Sequence, residues 1–396
     1  MKEGWKIVKL GEVCDFEGGS QPPKSEWTKE PCEGYVRMLQ IRDFTQSRKA
    51  DVEYVTISKK LRLCKANDIL IGRYGASVGK ILTGLEGAYN VAIIKSIPDE
   101  TRIIKSYIRR FFEAPNFQSL LFKVCTQRAA QAGFSKEDSV DTEFSLHPLE
   151  EQHRIVSILD ASFEKIDALK KNAEENLKNA KALFQQVLAQ ELKPKEGWVE
   201  KKLEEIVTET CSLSYGIVQP GDDVQNGIPV VRPVDFSNDI FVKREGLKRT
   251  KKEISDAYQR TILTGNEILM CVRGTTGTMG FATDELKGCN VTRGIVPILI
   301  DKTSVKRFVY YQLLSPLLQK QIAENTNGTA LKQINIKDLR VLKLFMPSIE
   351  EQHRIVRTLD TLSEKCRRLE QVAQQTIREC DALKQSILRQ AFSGEL

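Results

Sequence analysis

Two stretches of the chain, residues 149–193 and 349–393, contain no proline or glycine and repeat their apolar residues at helical spacing. In the first, Leu159, Ile166, Ala173, Ala180 and Val187 recur every seven positions, with Ser162, Leu169, Asn176 and Leu183 three later. In the second, Leu359, Cys366, Ala373, Cys380 and Ile387 pair in the same way with Leu362, Leu369, Thr376 and Leu383. A seven-residue apolar repeat of this kind predicts the a/d seam of a coiled coil. Each helix would be about 65 Å long at the α-helical rise. Pro148 suits a first-turn position, Ser348 with Glu351 forms a Ser-x-x-Glu capping box, and Gly394 is placed to end the second helix.

The remainder has a different texture. Residues 1–148 and 194–347 mix short β-like runs ("DILIG", "EILMCV", "GIVPILI") with glycine-containing turns and helical stretches such as "SYIRRFFEAPNFQSLLFKV". That pattern predicts an α+β fold. The expected segments are a globular domain at 1–148, a helix at 149–193, a second globular domain at 194–347 and a C-terminal helix at 348–396. Two long helices in one chain can pair if the intervening domain returns the chain, which predicts antiparallel packing.

The chain also repeats itself. "EEQHRIV" occurs at Glu150–Val156 and again at Glu350–Val356, and "KEGW" at Lys2–Trp5 and Lys195–Trp198. Between these markers "VRMLQIRDF" (36–44) parallels "IPVVRPVDF" (228–236). "NDILIGRYGASVGK" (67–80) resembles "NEILMCVRGTTGTMG" (266–280), and "YNVAI" (89–93) faces "CNVTR" (289–293). The offset drifts between 192 and 200 residues, as insertions in surface loops of a duplicated scaffold would produce.

Charge is uneven between these parts. The net charge of +7 resides in the globular segments at +4 each, while the two helical segments together carry −1. A basic excess confined to the two similar domains is compatible with phosphate contacts, although +4 on a domain of this size is also common without them. No apolar run reaches the ~18–20 residues of a membrane span, and the first residues lack the apolar block of a signal peptide. The expectation is a cytoplasmic protein with no membrane association. Nine cysteines without a Cys-x-x-Cys, and three histidines, argue against a disulfide framework or a zinc site.

Catalytic chemistry finds little support. "GRYGASVGK" resembles a phosphate-binding loop, but Tyr74 stands where its first glycine belongs and Ile81 where its Ser/Thr belongs. No Asn/Asp-Pro-Pro-aromatic tetrapeptide is present, and Pro98–Asp99 is followed by no Glu-x-Lys before Glu191–Lys193. No cysteine adjoins a histidine in sequence. His153 and His353 lie in first helical turns, where capping or partner contact is the simpler role, and Cys366 and Cys380 read as small buried seam residues.

The whole chain resembles the specificity (S) subunit of Type I restriction–modification systems. The resemblance rests on the Gly-Trp start of each half, the paired "NDILIGRYGASVGK" and "NEILMCVRGTTGTMG", "EEQHRIV" opening each long helix, and the ending "LKQSILRQAFSGEL". It implies two similar α/β target-recognition domains separated by a long two-helix antiparallel coiled coil, in a pseudo-twofold tandem repeat. Each domain would read one half of a bipartite, asymmetric double-stranded DNA site, and the helices would set the spacing. It further implies two methyltransferase (M) subunits using S-adenosylmethionine and two restriction (R) subunits using ATP, with magnesium among the partner cofactors. This chain would be non-catalytic and hold no cofactor or metal of its own. The rival reading is a coiled-coil scaffold with two peptide- or protein-binding domains.

Base reading needs Arg or Lys for guanine, Asn or Gln for adenine, and hydroxyls or aromatics beside them. In the first domain the candidates are Gln40, Arg42, Arg73, Tyr74, Ser77, Lys80, Arg128, Gln131 and Lys136. In the second they are Arg232, Arg273, Thr275, Thr276, Asn327, Lys332, Gln333 and Asn335. Candidates for partner docking are Glu151, Gln152, His153 and Arg154, with Glu351, Gln352, His353 and Arg354.

Overall fold

The computed structural model describes residues 5–46, 51–127, 133–211, 213–236, 240–328 and 332–396; Lys2–Gly4 of the first "KEGW", Arg128 and Gln131 lie outside them. Its longer helices are α1 (Lys105–Glu113), α2 (Pro115–Gln127), α3 (Leu149–Glu191), α4 (Lys306–Leu314), α5 (Pro316–Glu324) and α6 (Ile349–Ser393). Proline breaks the stretch expected to be helical after residue 105. Ala114 is extended (ψ 146°) between α1 and α2, because the residue before proline is driven from the α region and proline itself suits a helix start. Ser315 and Pro316 repeat the break, with the Ser315 hydroxyl accepting from the Leu318 amide.

One unit comprises Met1–Glu174 with Gln374–Leu396. Its central sheet pairs Ile93–Pro98 with Cys14–Gly18 on one side and Ile69–Gly72 on the other, all antiparallel. A second sheet includes a parallel pair, Met38 beside Ala88 and Leu39 beside Tyr89. A ribbon of Lys6–Lys9 and Glu143–Leu146 brings the start of the domain to its end. The core is aromatic: Phe112 lies 4.9 Å from Phe117, and Phe111 lies 4.8 Å from Phe144 and 5.5 Å from Phe392 of α6. Gly394 ends α6 with φ +88°, where a Cβ would lie 2.5 Å from the Trp5 ring.

The other unit comprises Glu175–Ala373. Ile268–Cys271 lies between Met279–Phe281 and Ile295–Ile298, antiparallel to both. The parallel pair recurs as Val230 beside Asn290 and Val231 beside Val291, and the ribbon recurs as Val199–Lys202 with Lys343–Met346. The strands Ile69–Gly72, Ile268–Cys271 and Ile295–Ile298, expected from continuous apolar runs, are buried at every position, as two-sided burial requires.

The helices are antiparallel within each unit. In the first, Lys170 pairs with Asp381 at 2.6 Å and Asp167 with Lys384 at 2.5 Å, so one helix ascends as the other descends. In the second, Leu188 and Leu192 share a core with Ile355, Val356 and Leu359, and Arg354 reaches Glu191 at 2.8 Å. The seam differs from the expected one in its second row. Leu159, Ile166, Ala173 and Ala180 are buried, as are Leu359, Cys366, Ala373 and Cys380. The residues three later are not: Leu169 and Leu369 are each 55% exposed, Leu183 45% and Leu383 49%. The inward row lies four positions later, at Phe163, Lys170, Leu177 and Phe184. Both flanks of the repeating position carry apolar residues, and the bulkier Phe163 and Phe184 occupy the inside. Burial raises the Cys366 thiol above its ordinary pKa.

Candidate nucleic-acid interface

The strongest structural correspondence between the units is a strand, a glycine-hinged loop and a returning strand. In the first unit the Gly79 amide donates to the Gly72 carbonyl at 2.9 Å, closing a loop with Tyr74, Ala76 and Ser77 at its apex. In the second the Gly277 amide donates to the Cys271 carbonyl at 2.9 Å, closing a loop with Arg273, Thr275 and Thr276. Gly75 (φ +56°) and Gly274 (φ +81°) sit at the two apices with open space around them. Left-handed backbone of this kind favours glycine.

Pairing across the loop fixes which residues correspond. The Phe134 amide donates to the Arg73 carbonyl at 3.3 Å, and the Ile334 amide to the Val272 carbonyl at 3.0 Å. Tyr74 bridges to Gly133, and Arg273 bridges to Gln333. The counterpart of Arg273 is therefore Tyr74, while Arg73 matches the buried Val272. Consistent with that, the Arg73 guanidinium turns back, donating from Nε to the Phe134 carbonyl at 2.6 Å and lying 5.2 Å from the Tyr74 ring centroid.

In the second unit most candidates gather at one place. Thr326–Asn327 pairs with Gln333–Ile334 beside the loop. Lys332 accepts at its carbonyl from the Gly274 amide (2.9 Å) and the Thr276 hydroxyl (3.3 Å). Gly274, Thr275, Thr276, Thr326 and Lys332 line a cavity of about 440 Å³. Gln333 donates to the Tyr215 hydroxyl at 3.3 Å, and the half-buried Asn335 donates to Asp338 at 3.2 Å ahead of a short helix. Burial pushes the neighbouring Cys271 thiol up to about 11, which leaves it protonated and unreactive near neutrality.

Other candidates are engaged inside their own domain. Gln40 and Arg42 both donate to Glu53, at 2.8 and 2.5 Å, and Lys24 reaches the same carboxylate at 2.7 Å. Burial alone would raise the Glu53 pKa, but Lys24, Gln40 and Arg42 outweigh it and hold the carboxyl below its ordinary value. Arg232 forks onto Asp235 at 3.1 and 2.7 Å, and this pairing raises its own pKa. Lys136 pairs with Asp15. Ser77 is half-buried, whereas Lys80 is exposed. The polar ends of the base-contact candidates Gln40, Arg42 and Arg232 are thus already paired within the domain. Carboxylates three to thirteen residues away already occupy those ends.

The helix starts hold a correction. Gln152 and Gln352, expected on a docking surface, are buried. Gln152 accepts from the Ile104 amide at 2.9 Å and donates to the carbonyls of Arg102 and His147 at 2.9 and 2.8 Å. Gln352 accepts from the Val305 amide at 2.8 Å and donates to the Pro347 carbonyl at 3.0 Å. Each glutamine staples the first turn of a long helix to the backbone entering α1 or α4. Sequence reading took the residue for a surface group, because a polar residue in a charged run carries no mark of burial. His153 and His353 are exposed, and Arg154 and Arg354 pair with Glu151 and Glu351 at 2.6 and 2.7 Å.

Among the described residues, no cluster of three or more His, Cys, Asp or Glu is arranged to hold a metal ion. Nor is any described helix long and apolar enough to cross a membrane.

These features define a class: a duplicated, mixed α/β binding protein whose two domains present matching loops and are stapled to paired antiparallel helices. A family profile described as the Type I restriction modification DNA specificity domain matches residues 2–179 and again 195–379. The chain belongs to that family, and its function is to supply DNA sequence specificity. It is 30% identical to the Type I restriction enzyme EcoBI specificity subunit of Escherichia coli, over all of this chain and 86% of that protein. The MjaVIII specificity subunit of Methanocaldococcus jannaschii is 20% identical, over all of this chain and 93% of the relative. Among solved structures, a chain from a study of complex assembly in the type I R-M system shares the fold at a TM-score of 0.78. The two are 22% identical, and the match covers all of this chain and 99% of that one. The HsdS subunit of Thermoanaerobacter tengcongensis matches at 0.53 with 19% identity, over all of this chain and 98% of that one.

Proposed function

We propose that each unit reads one half of a bipartite, asymmetric DNA site through its glycine-hinged loop, and that the helices set the gap between halves. One observation carries this reading: both loops are closed by a glycine amide on the strand and paired to an equivalent crossing segment, while they differ by one residue in length and in the residues at their apices. Where the first unit has Tyr74 bridged to Gly133, the second has Arg273 bridged to Gln333. A shared scaffold with unlike side chains suits two readers of unlike sequences. Arg273 and Gln333 have the donors that guanine and adenine edges require, with Thr275, Thr276, Asn327, Lys332 and Asn335 around them. Tyr74, Ser77, Lys80 and Arg73 serve the first loop, together with Arg128, Gln131 and Lys136. Gln40, Arg42 and Arg232 take part where DNA displaces their carboxylate partners.

The helix starts serve assembly. Glu151, His153 and Arg154, repeated as Glu351, His353 and Arg354, form two like surfaces for two M subunits, with the exposed Leu169 and Leu369 further along the same helices. Two R subunits join through that assembly. Catalysis is supplied by these partners, with S-adenosylmethionine, ATP and magnesium, in the cytoplasm, and the chain itself is a non-catalytic reader.

The test is a DNA-binding titration against salt, with and without M subunits. Alone the chain is expected to bind weakly, steeply dependent on salt and with little sequence preference. With M subunits it should select a bipartite site by a thousandfold or more over mixed sequence, on the order typical of specific readers. Absence of selective binding in the presence of M subunits contradicts the reading. Removing one heptad from both helices should shorten the accepted gap without changing the half-site bases.

A further inference from the structure

Each loop is held from behind by a glutamine that belongs to neither the loop nor its strands. Gln118, the fourth residue of α2, donates from Nε2 to the Gly79 carbonyl at 2.8 Å and to the Phe112 carbonyl in α1 at 2.6 Å. Gln319, the fourth residue of α5, donates from Nε2 to the Gly277 carbonyl at 3.4 Å and to the Leu313 carbonyl in α4 at 2.8 Å. One amide nitrogen has two hydrogens and meets two carbonyls, one on the loop and one at the end of the preceding helix. A glutamate there would turn lone pairs toward both. The glycines are matched to the clamp: a Cβ would lie 2.4 Å from Gln118 Oε1 at Gly79, and 2.8 Å from Gln319 Oε1 at Gly277.

The consequence is mechanical. The last loop glycine is tied through its amide to the strand, at Gly72 or Cys271, and through its carbonyl to the helix pair. Between these ties the apex is paired on one side, Tyr74 with Gly133 in the first unit, Gly274 and Thr276 with Lys332 in the second, and is open where a Cβ would stand at Gly75 and Gly274. Clamp bonds to main chain take no account of apex identity, so the same residue can serve a tyrosine-bearing loop and an arginine-bearing one.

We propose that Gln118 and Gln319 are positioning residues for half-site recognition, each fixing where its loop apex meets a base pair. The inference rests on the reading of these loops as DNA-contacting. Its test uses the assembled complex with M subunits, S-adenosylmethionine and a pool of DNA in which every position of the site is varied. Methylation is read by sequencing, and the unfolding temperature of each variant is measured alongside.

Gln319→Leu is expected to lower discrimination at the second unit's half-site by about tenfold, the effect of one lost buried hydrogen bond, and to leave the other half-site unchanged. Gln118→Leu should do the reverse. Gly277→Ala, which keeps the glutamine but drives a Cβ against it, should reproduce the Gln319→Leu pattern even if that variant folds poorly. Equal loss at both half-sites, or no loss at either, overturns the proposal. Arg273→Ala separates the two possible failures. If it leaves both half-sites unchanged, the reading of the loops falls; if it alters one while Gln319→Leu and Gly277→Ala alter neither, the clamp falls.

Discussion

The helix starts and the loops are both duplicated, yet they repeat different things. At the helix starts "EEQHRIV" recurs unchanged, and its buried glutamine makes equivalent bonds in both units, to Ile104 and His147 in one and Val305 and Pro347 in the other. In the loops the closing bond and the pairing across the loop recur, but Tyr74 holds the place that Arg273 holds in the other unit, and the first loop is one residue longer. Side-chain identity recurs at the buried glutamine, which is part of the internal hydrogen bonding, and differs at the loop apices.

The largest effect that can break this contrast is on the buried glutamines. Gln152→Leu or Gln352→Leu leaves an amide and at least one carbonyl unpaired in a dry site, and is expected to cost about 3 kcal/mol. Urea unfolding should give a loss for both variants, somewhat larger for Gln152→Leu because Gln152 also donates to the Arg102 carbonyl. A loss in only one would show that the repeats are not equivalent at their helix starts. Next in size, Leu169→Ser combined with Leu369→Ser should weaken M-subunit binding by about 2 kcal/mol per leucine buried there. The same pair should change the stability of the isolated chain little, since both leucines are exposed. Calorimetric titration with M subunits checks the first half of that prediction, and thermal unfolding the second.

Smaller still, Lys170→Met is expected to cost less than about 1 kcal/mol, as for other surface ion pairs, because Asp381 is largely exposed. The smallest effect concerns pH. The Glu53 carboxyl is held below its ordinary value by Lys24, Gln40 and Arg42 against the opposing effect of burial. Its stabilisation is therefore complete above the unfolded-state value near 4.5 and disappears as pH falls through the lower folded value. Glu53→Gln should be less stable than the parent at neutral pH, and the gap between them should close on acidification. A gap that widened in acid would refute the assignment.

Much of the architecture was legible in the sequence because its signals are long or punctuated. Proline-free heptads mark α3 and α6, glycine and proline mark loop apices and helix breaks, and the duplication supplies each expectation twice. Three features escaped for physical reasons. The second row of the seam was misplaced because apolar residues flank the repeating position on both sides, and only packing chooses Phe163 over Leu169. The burial of Gln152 and Gln352 depends on backbone some fifty residues earlier. The occupation of Gln40 and Arg42 depends on Glu53, which folding alone brings beside them. The clamp glutamines did leave a mark: "PNFQ" at Pro115–Gln118 and "PLLQ" at Pro316–Gln319 share a Pro-x-x-Gln pattern 201 residues apart.

The central claim, that recognition is divided between the two loops while the helices serve assembly and spacing, is tested most directly by Arg273→Ala. The measurement is a base-resolution map of adenines methylated by the complex of M subunits with the parent chain and with this variant. The account predicts relaxed preference at one position of one half-site, about 1–3 kcal/mol in discrimination, with the other half-site and the gap unchanged. Simultaneous change in both half-sites, or a changed gap with both half-sites intact, would contradict it.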